Sequence, residues 1–117
     1  MKQVTVLAIV CVLSVGCTPR VSDSEASALA REVAPLLERH ATAGPLPRES
    51  WPTSVATLKP KAVYVRNEGL YVTTWSFFVE ERGVFILNPK VAFRPLRGTD
   101  PHYEPVGHGV FVYRIAG

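Results

Sequence analysis

The stretch that decides the fold is "AVYVRNEGLYVTTWSFFVE", residues 62–80, which is dominated by β-branched and aromatic residues. Such runs, with apolar side chains at every second position, are typical of β-strands. The polar triplet Asn67-Glu68-Gly69 interrupts the run and predicts a tight turn. We therefore predict one strand over Ala62–Arg66 and a second over Leu70–Glu80, joined as a hairpin.

The second of these strands has two different faces, because alternate side chains of a strand point to opposite sides. Unbroken alternation places on one face Tyr71, Thr73, Trp75, Phe77 and Val79. It places on the other face Leu70, Val72, Thr74, Ser76 and Phe78.

Two further strands are predicted downstream. Glu81-Arg82-Gly83 is expected to form the next turn, and Val84–Leu87 a third strand that Asn88-Pro89 ends. After a long connection, Val110–Ile115 is expected to form the fourth. Short links between consecutive strands require antiparallel pairing, so the expected sheet is a four-stranded antiparallel meander.

A helix is predicted before the sheet. Ser22-Asp23-Ser24-Glu25 has the pattern of a capping box, in which the first and last residues bond each other's backbone N–H. An apolar stripe with helical spacing follows, formed by Ala26, Leu29, Ala30, Val33, Leu36 and Leu37. Pro35 lies off this stripe and predicts either a kink or two short helices that meet near Ala34.

The segment between this helix and the sheet is rich in proline. Thr53–Leu58 is expected to form one or two helical turns, with Pro52 at the first helical position. Trp51, Val55 and Leu58 are then expected to face inward. Trp51 has a second interpretation as an exposed binding anchor.

These elements predict an α+β protein: an N-terminal helix packed on a four-stranded antiparallel meander sheet. The 117 residues have room for one domain, placed at 23–117. The net charge of +3 is small, and the basic residues are scattered along the chain. This charge pattern favours a solvated surface and argues against a nucleic-acid partner.

The N-terminus has the layout of a secretory signal peptide. Met1-Lys2 provides the positive charge, and Val4–Gly16 is apolar apart from Thr5 and Ser14. This run is shorter than the roughly 20 residues that a membrane-spanning helix needs.

Ser14-Val15-Gly16-Cys17 resembles the lipobox of bacterial lipoproteins, although lipoboxes usually carry leucine where Ser14 stands. The resemblance implies that residues 1–16 are removed and that the Cys17 thiol carries a diacylglyceryl lipid. Residues 17–22 would then tether the domain to a membrane of the cell envelope, facing the periplasm or the cell surface, and Thr18 favours the outer membrane. Two alternatives remain: an ordinary secretory signal that leaves Cys17 free, and a buried apolar element of the fold.

The cysteine count agrees with this assignment. Cys11 would leave with the signal and Cys17 would be capped by lipid, so the mature domain would hold no thiol for a disulfide or a metal. An apolar core alone can stabilise a domain of about 100 residues.

The connection at residues 97–109 contains side chains that bind metals or move protons. These are Asp100, His102, Glu104 and His108. Their spacing matches no known metal signature, and a polar surface loop is the alternative interpretation. They are weak candidates for metal ligands.

The predicted sheet carries more aromatic side chains than the cover of one helix requires. Exposed aromatics with neighbouring arginines are typical of protein interfaces. The candidate binding residues are Trp75, Phe77, Tyr71, Tyr113, Arg66 and Arg114. In the alternative interpretation, the 88–109 connection covers the aromatic residues as part of the core.

No catalytic motif is recognised: the chain has neither a GxSxG elbow nor a glycine-rich phosphate loop. We therefore expect a non-enzymatic envelope lipoprotein, without a cofactor other than its covalent lipid, that binds a protein or another envelope component. Small lipoproteins that neutralise incoming toxins, acting as inhibitors or immunity proteins, are similar to this chain only in size and in location in the cell envelope. The alternative is a metal-handling or structural role through residues 97–109.

Overall fold

The computed structural model describes residues 19–39 and 42–117. In these ranges the chain forms helix α1 (Asp23–Arg39), a 3₁₀ turn (Arg48–Ser50) and helix α2 (Thr53–Thr57). The strands are β1 (Gly44–Pro45), β2 (Ala62–Arg66), β3 (Gly69–Phe77), β4 (Glu80–Leu87), β5 (His102–Gly107) and β6 (Val110–Ile115). The described part is thus an α+β structure with one main helix.

The strands form one antiparallel sheet in the order β1-β2-β3-β4-β6-β5. The predicted antiparallel sheet is confirmed, but the expectation of four strands is wrong because the described residues form six. β1 has only two residues, too few for any periodic pattern. β5 contains Pro105 and Gly107, which sequence patterns assign to loops, and a strand at the sheet edge tolerates this proline.

The prediction that residues 97–109 form a loop is therefore corrected. The irregular connection ends before His102, and residues 102–107 pair with β6. His108 and Gly109 form the tight turn of the β5–β6 hairpin.

The turn between β3 and β4 also differs from the prediction. It lies at Phe78-Val79 and not at residues 81–83, which belong to β4. Gly83 pairs with Thr73, and a Cβ at this glycine would overlap the carbonyl oxygen of Val72. The glycine permits close approach of two strands here, where the sequence pattern indicated a turn.

A β-bulge in β3 changes which side chains share a face. Thr73 pairs with Gly83 and Trp75 with Arg82, so Thr74 is an additional residue without a partner on β4. Directly paired residues lie on the same face of a sheet. Beyond the bulge, Trp75 and Phe77 therefore lie on the face opposite Tyr71, and the predicted single face from 71 to 79 is wrong.

Helix α1 begins as the capping box predicts. The Ser22 N–H donates to Glu25 Oε1 at 2.9 Å, and the Glu25 N–H donates to Ser22 Oγ at 3.2 Å. The helix continues through Pro35, which is exposed. Because Arg31 is also exposed, water can bond the carbonyl that Pro35 leaves without a donor.

Helix α1 covers one face of the sheet with aliphatic contacts. Its buried side chains are Ala26, Leu29, Val33, Leu36 and Leu37. They pack with Val55 of α2 and with sheet residues including Val63, Leu70, Val72, Val84, Ile86 and Val110. Trp51 is half-buried against this core and donates its indole N–H to the Leu46 carbonyl oxygen at 2.9 Å, in agreement with the inward orientation predicted for it.

Helix α2 is capped by a side chain from α1. Pro52 at its N-cap provides no side-chain hydrogen bond, and the Glu32 carboxylate takes this role. Glu32 Oε1 accepts from the Ser54 N–H at 3.0 Å and from the Ser54 hydroxyl at 2.8 Å. These two bonds hold the pKa of Glu32 below its usual value.

Candidate functional site

The face of the sheet opposite α1 holds a layer of aromatic side chains. Tyr71, Phe85, Tyr103 and Tyr113 are its buried members, and Phe93 from the 88–101 connection packs against them. The Tyr71 ring stacks on Tyr64 at 4.9 Å between ring centres and meets the edge of Tyr113 at 5.0 Å. Tyr71 and Tyr113 are thus core residues. Any contribution that they make to binding is indirect, because their side chains are buried.

Glu81 is the centre of a hydroxyl network on this face. Its Oε2 accepts hydrogen bonds from Tyr64 at 2.6 Å, from Thr73 at 3.0 Å and from Tyr113. Three donors on one carboxylate oxygen replace the water that this half-buried group loses. These hydrogen bonds fix both the orientation of the tyrosine rings and how deeply the rings are buried.

A second chain of hydroxyls runs from Tyr103 to Glu68. Tyr71 donates to Glu68 Oε2 at 2.8 Å, and the Tyr71 and Tyr103 hydroxyl oxygens are 2.7 Å apart. The Tyr71 hydroxyl has one proton and donates it to Glu68. It can therefore only accept from Tyr103, so Tyr103 is the donor of the bond between the two tyrosines. Burial raises the pKa of both tyrosines, and their hydroxyls stay protonated at neutral pH.

The end of β3 and the β3–β4 turn carry three large exposed apolar side chains. Phe77, Phe78 and Val79 are 61%, 91% and 72% exposed. Phe78 has a φ of 54°, in the left-handed region that costs a non-glycine residue about 1–2 kcal/mol. Its ring meets the Phe77 ring at 4.4 Å between centres, so this strained turn holds two aromatic rings together in solvent.

Charged residues surround the base of this tip. The Arg82 guanidinium lies 5.2 Å from the centre of the Trp75 ring, a cation–π geometry. Glu80 Oε2 pairs with Arg82 at 2.7 Å and with Arg114 at 3.6 Å. We call Trp75, Phe77, Phe78 and Val79, with the ion pairs of Glu80, the hairpin tip.

The structure thus divides the candidate binding residues between two places. Trp75, Phe77 and Arg114 lie at or beside the hairpin tip, whereas Tyr71, Tyr113 and Arg66 belong to the aromatic layer and its margin. The sequence analysis did not identify Phe78 and Val79 as candidate binding residues, because unbroken alternation assigned them to a continuing strand. The signal that could have found them is the consecutive triplet Phe77-Phe78-Val79, because three adjacent apolar residues cannot all lie on one face.

The metal candidates do not form one cluster. His102 and His108 lie at opposite ends of β5, at its first residue and just beyond its last. His102 Nδ1 accepts from the Gly98 N–H at 2.7 Å, and His108 Nε2 lies 3.1 Å from Asp23 Oδ1. Asp100 Oδ1 accepts from the Ala116 N–H at 2.8 Å. Residues 19–39 and 42–117 contain no group of three potential metal ligands.

Cys17 and the apolar run before it lie outside the described residues, so the lipidation site stays a prediction. No helix within the described ranges is long and apolar enough to cross a membrane.

Comparison with known proteins gives no relative: nothing matches this chain among family models, curated proteins or solved structures.

Proposed function

We propose that this chain is a non-enzymatic binding module of the cell envelope, anchored by a lipid on Cys17, that binds a protein partner through the hairpin tip. An inhibitor or immunity-like role against a periplasmic protein is one form of this activity. The observation that carries the proposal is the exposure of Phe77, Phe78 and Val79 at one turn. The lipobox-like Ser14-Val15-Gly16-Cys17 supports the anchor and its address.

The composition of the hairpin tip supports a protein as the partner. Aromatic residues and arginine are enriched in interfaces, and tryptophan, tyrosine and arginine dominate their binding energy. The tip combines Trp75 and two phenylalanines with Arg82, and Glu80 adds a polar margin.

The position of the tip also supports this role. The N-terminus of α1 lies beside the β5–β6 turn, where His108 contacts Asp23. The β3–β4 turn is at the other end of the strands, because Phe77, opposite Glu80, is seven residue steps along β3 from Leu70, which is opposite Ile86. At about 3.3 Å per residue this separation is roughly 23 Å along the sheet. A chain anchored through residues 17–22 would therefore present the tip away from its membrane.

Site-specific photocrosslinking of the full chain in its own cells tests the proposal. A photoreactive amino acid at position 78 should give one adduct of defined mass, and the same amino acid at exposed position 59 should not. Combining the probe with Phe77→Ser and Val79→Ser should reduce the adduct at least about tenfold, because the apolar contacts are lost.

Cys17→Ala serves as the control for the anchor. This variant should leave the membrane fraction and lose the incorporated fatty acid, while the purified domain keeps its fold. Equal adducts from positions 78 and 59, or adducts to lipid alone from position 78, would contradict binding through the tip. Unchanged membrane attachment of Cys17→Ala would contradict the anchor independently.

A further inference from the structure

A cavity of about 450 Å³ opens beside the aromatic layer, on the face of the sheet opposite Trp75 and Phe77. It lies between the end of β2 and the 88–101 connection, which forms its outer wall. Its apolar lining includes Tyr64, Tyr71, Phe93, Leu96, Tyr103 and Ile115. Its volume falls in the range of about 300–1,000 Å³ that small-molecule sites occupy.

Two arginines from different parts of the chain line this cavity: Arg66 at the end of β2 and Arg94 in the connection. The Arg66 guanidinium lies 5.5 Å from the centre of the Tyr64 ring, which holds it over the aromatic surface. Neither arginine forms an ion pair with another of the described residues. The other two arginines of the strands, Arg82 and Arg114, both pair with Glu80.

Glu68 limits the charge that the cavity can accept. Its carboxylate also lines the cavity, and its Oε2 is already bonded to the Tyr71 hydroxyl. Two guanidinium groups and one carboxylate leave a single net positive charge. This balance favours a monoanion over a phosphate dianion.

An extended peptide does not find a free strand at this place. β1 pairs with β2 opposite Tyr64 and Val65, and the Leu46 N–H bonds the Val63 carbonyl oxygen at 2.8 Å. The backbone groups of β2 next to the cavity are therefore already used on both sides, which disfavours strand addition.

We propose that this cavity binds a small organic monocarboxylate with an aromatic or branched aliphatic body. The carboxylate lies between Arg66 and Arg94, where planar guanidinium groups match its geometry. The apolar body contacts Tyr64, Phe93 and Leu96. This inference concerns a different surface from the hairpin tip and stands without the function proposed above.

Ligand-detected NMR with the full chain in nanodiscs tests this site, with empty nanodiscs as the blank. The probes are 3-phenylpropionate, its amide 3-phenylpropanamide, and the peptide acid N-acetyl-glycyl-phenylalanine. We expect saturation transfer to the free acid and at least about tenfold weaker binding of the amide, which lacks the charge. The paired change Arg66→Gln with Arg94→Gln should weaken binding of the acid by a similar factor.

The matched control is Arg31→Gln with Lys59→Gln, which removes two exposed positive charges outside the cavity. It should bind the acid as the wild type does, and circular dichroism should show that both double variants are folded. Equal binding of acid and amide, or binding that survives loss of Arg66 and Arg94, overturns the proposal. Binding of the peptide acid alone overturns it in favour of a polypeptide C-terminus.

Discussion

The face of the sheet under α1 is packed with aliphatic side chains, whereas the opposite face is packed with aromatic rings tied together by hydroxyl groups. On the first face, Leu29 and Val33 belong to one buried cluster with Val72 and Val84. Dispersion and the hydrophobic effect hold this contact, and neither depends on direction. On the second face, the rings are oriented by hydrogen bonds to Glu81 and Glu68. The second face should therefore be the less adaptable of the two.

The largest expected effect is the loss of a ring from the aromatic layer. Phe85 is fully buried, and its ring lies within about 6 Å of four neighbours: Tyr71, Phe93, Tyr103 and Phe111. We expect Phe85→Ala to cost about 3–5 kcal/mol and Leu29→Ala on the other face about 2–5 kcal/mol, toward the lower end. The reason is that α1 can shift to fill a gap, whereas hydrogen-bonded rings cannot.

Urea unfolding of the two variants measures this difference. Phe78→Ala is the control, because an exposed ring should change stability by about 0.5 kcal/mol or less. If Leu29→Ala costs as much as Phe85→Ala or more, the aromatic layer is not the less adaptable face.

The second effect concerns the carboxylate that orders the aromatic layer. In Glu81→Gln the side chain loses its charge and brings an N–H₂ donor among hydroxyls that are themselves donors. We expect a loss of about 1–3 kcal/mol, since a hydrogen-bonded group near the core is left partly unsatisfied. Chemical unfolding with near-ultraviolet circular dichroism would also report looser tyrosine rings.

Glu104→Gln is the matched change at an exposed position. Glu104 pairs with Arg97 at 2.7 Å and contacts His102 at 3.3 Å, and such surface pairs contribute about 1 kcal/mol or less. Equal losses in the two variants would mean that Glu81 has no special role in the layer.

The smallest effect is expected on the α1 side of the sheet, where Glu32 caps helix α2. The pKa of Glu32 is lowered by the donors of Ser54, so the carboxylate adds stability above its unfolded pKa of 4.5. This contribution disappears as the pH falls through the lower folded pKa. Glu32→Gln should therefore flatten the loss of stability below about pH 4.5 and cost below about 1 kcal/mol at pH 7, because the group is near the surface.

Urea unfolding at pH 7 and pH 3.5 checks this expectation. Ser54→Ala keeps the backbone donor and removes the hydroxyl, so its effect should lie between the wild type and Glu32→Gln. A wild-type pH dependence in Glu32→Gln would show that the charge of Glu32 adds no stability to the cap.

The sequence predicted the elements whose signal is local and periodic. The capping box at Ser22, the apolar stripe of α1 and the strands β2 and β6 were all readable, because each repeats its pattern over several residues. The ends of β3 and the start of β4 were not, because Gly83 fits both a turn and a close strand contact. Strand β5 was not predicted, because it contains proline and glycine, which interrupt the strand pattern. It pairs with β6, which follows it after the turn at His108-Gly109.

The candidate surfaces were predictable only in part. Trp75 and Phe77 were recognised as aromatic residues of the sheet, but their face depended on one additional residue at Thr74, and no periodic pattern signals a bulge. The role of Glu81 depends on Tyr64, Thr73 and Tyr113, which lie on three different strands and meet only in the folded sheet. Arg94 reaches the cavity from an irregular connection whose path no local pattern fixes.

Thr74 has no register partner on β4 and divides β3 into two parts that can accept substitutions independently. Gly69–Thr73 is constrained by its neighbours in both layers, whereas Trp75–Phe77 lies past the shift in register. Substitutions in the distal part can accumulate without disturbing the pairing of the proximal part, since the bulge absorbs the mismatch. Such a hairpin can accept changes at its tip while the pairing at its base stays constant.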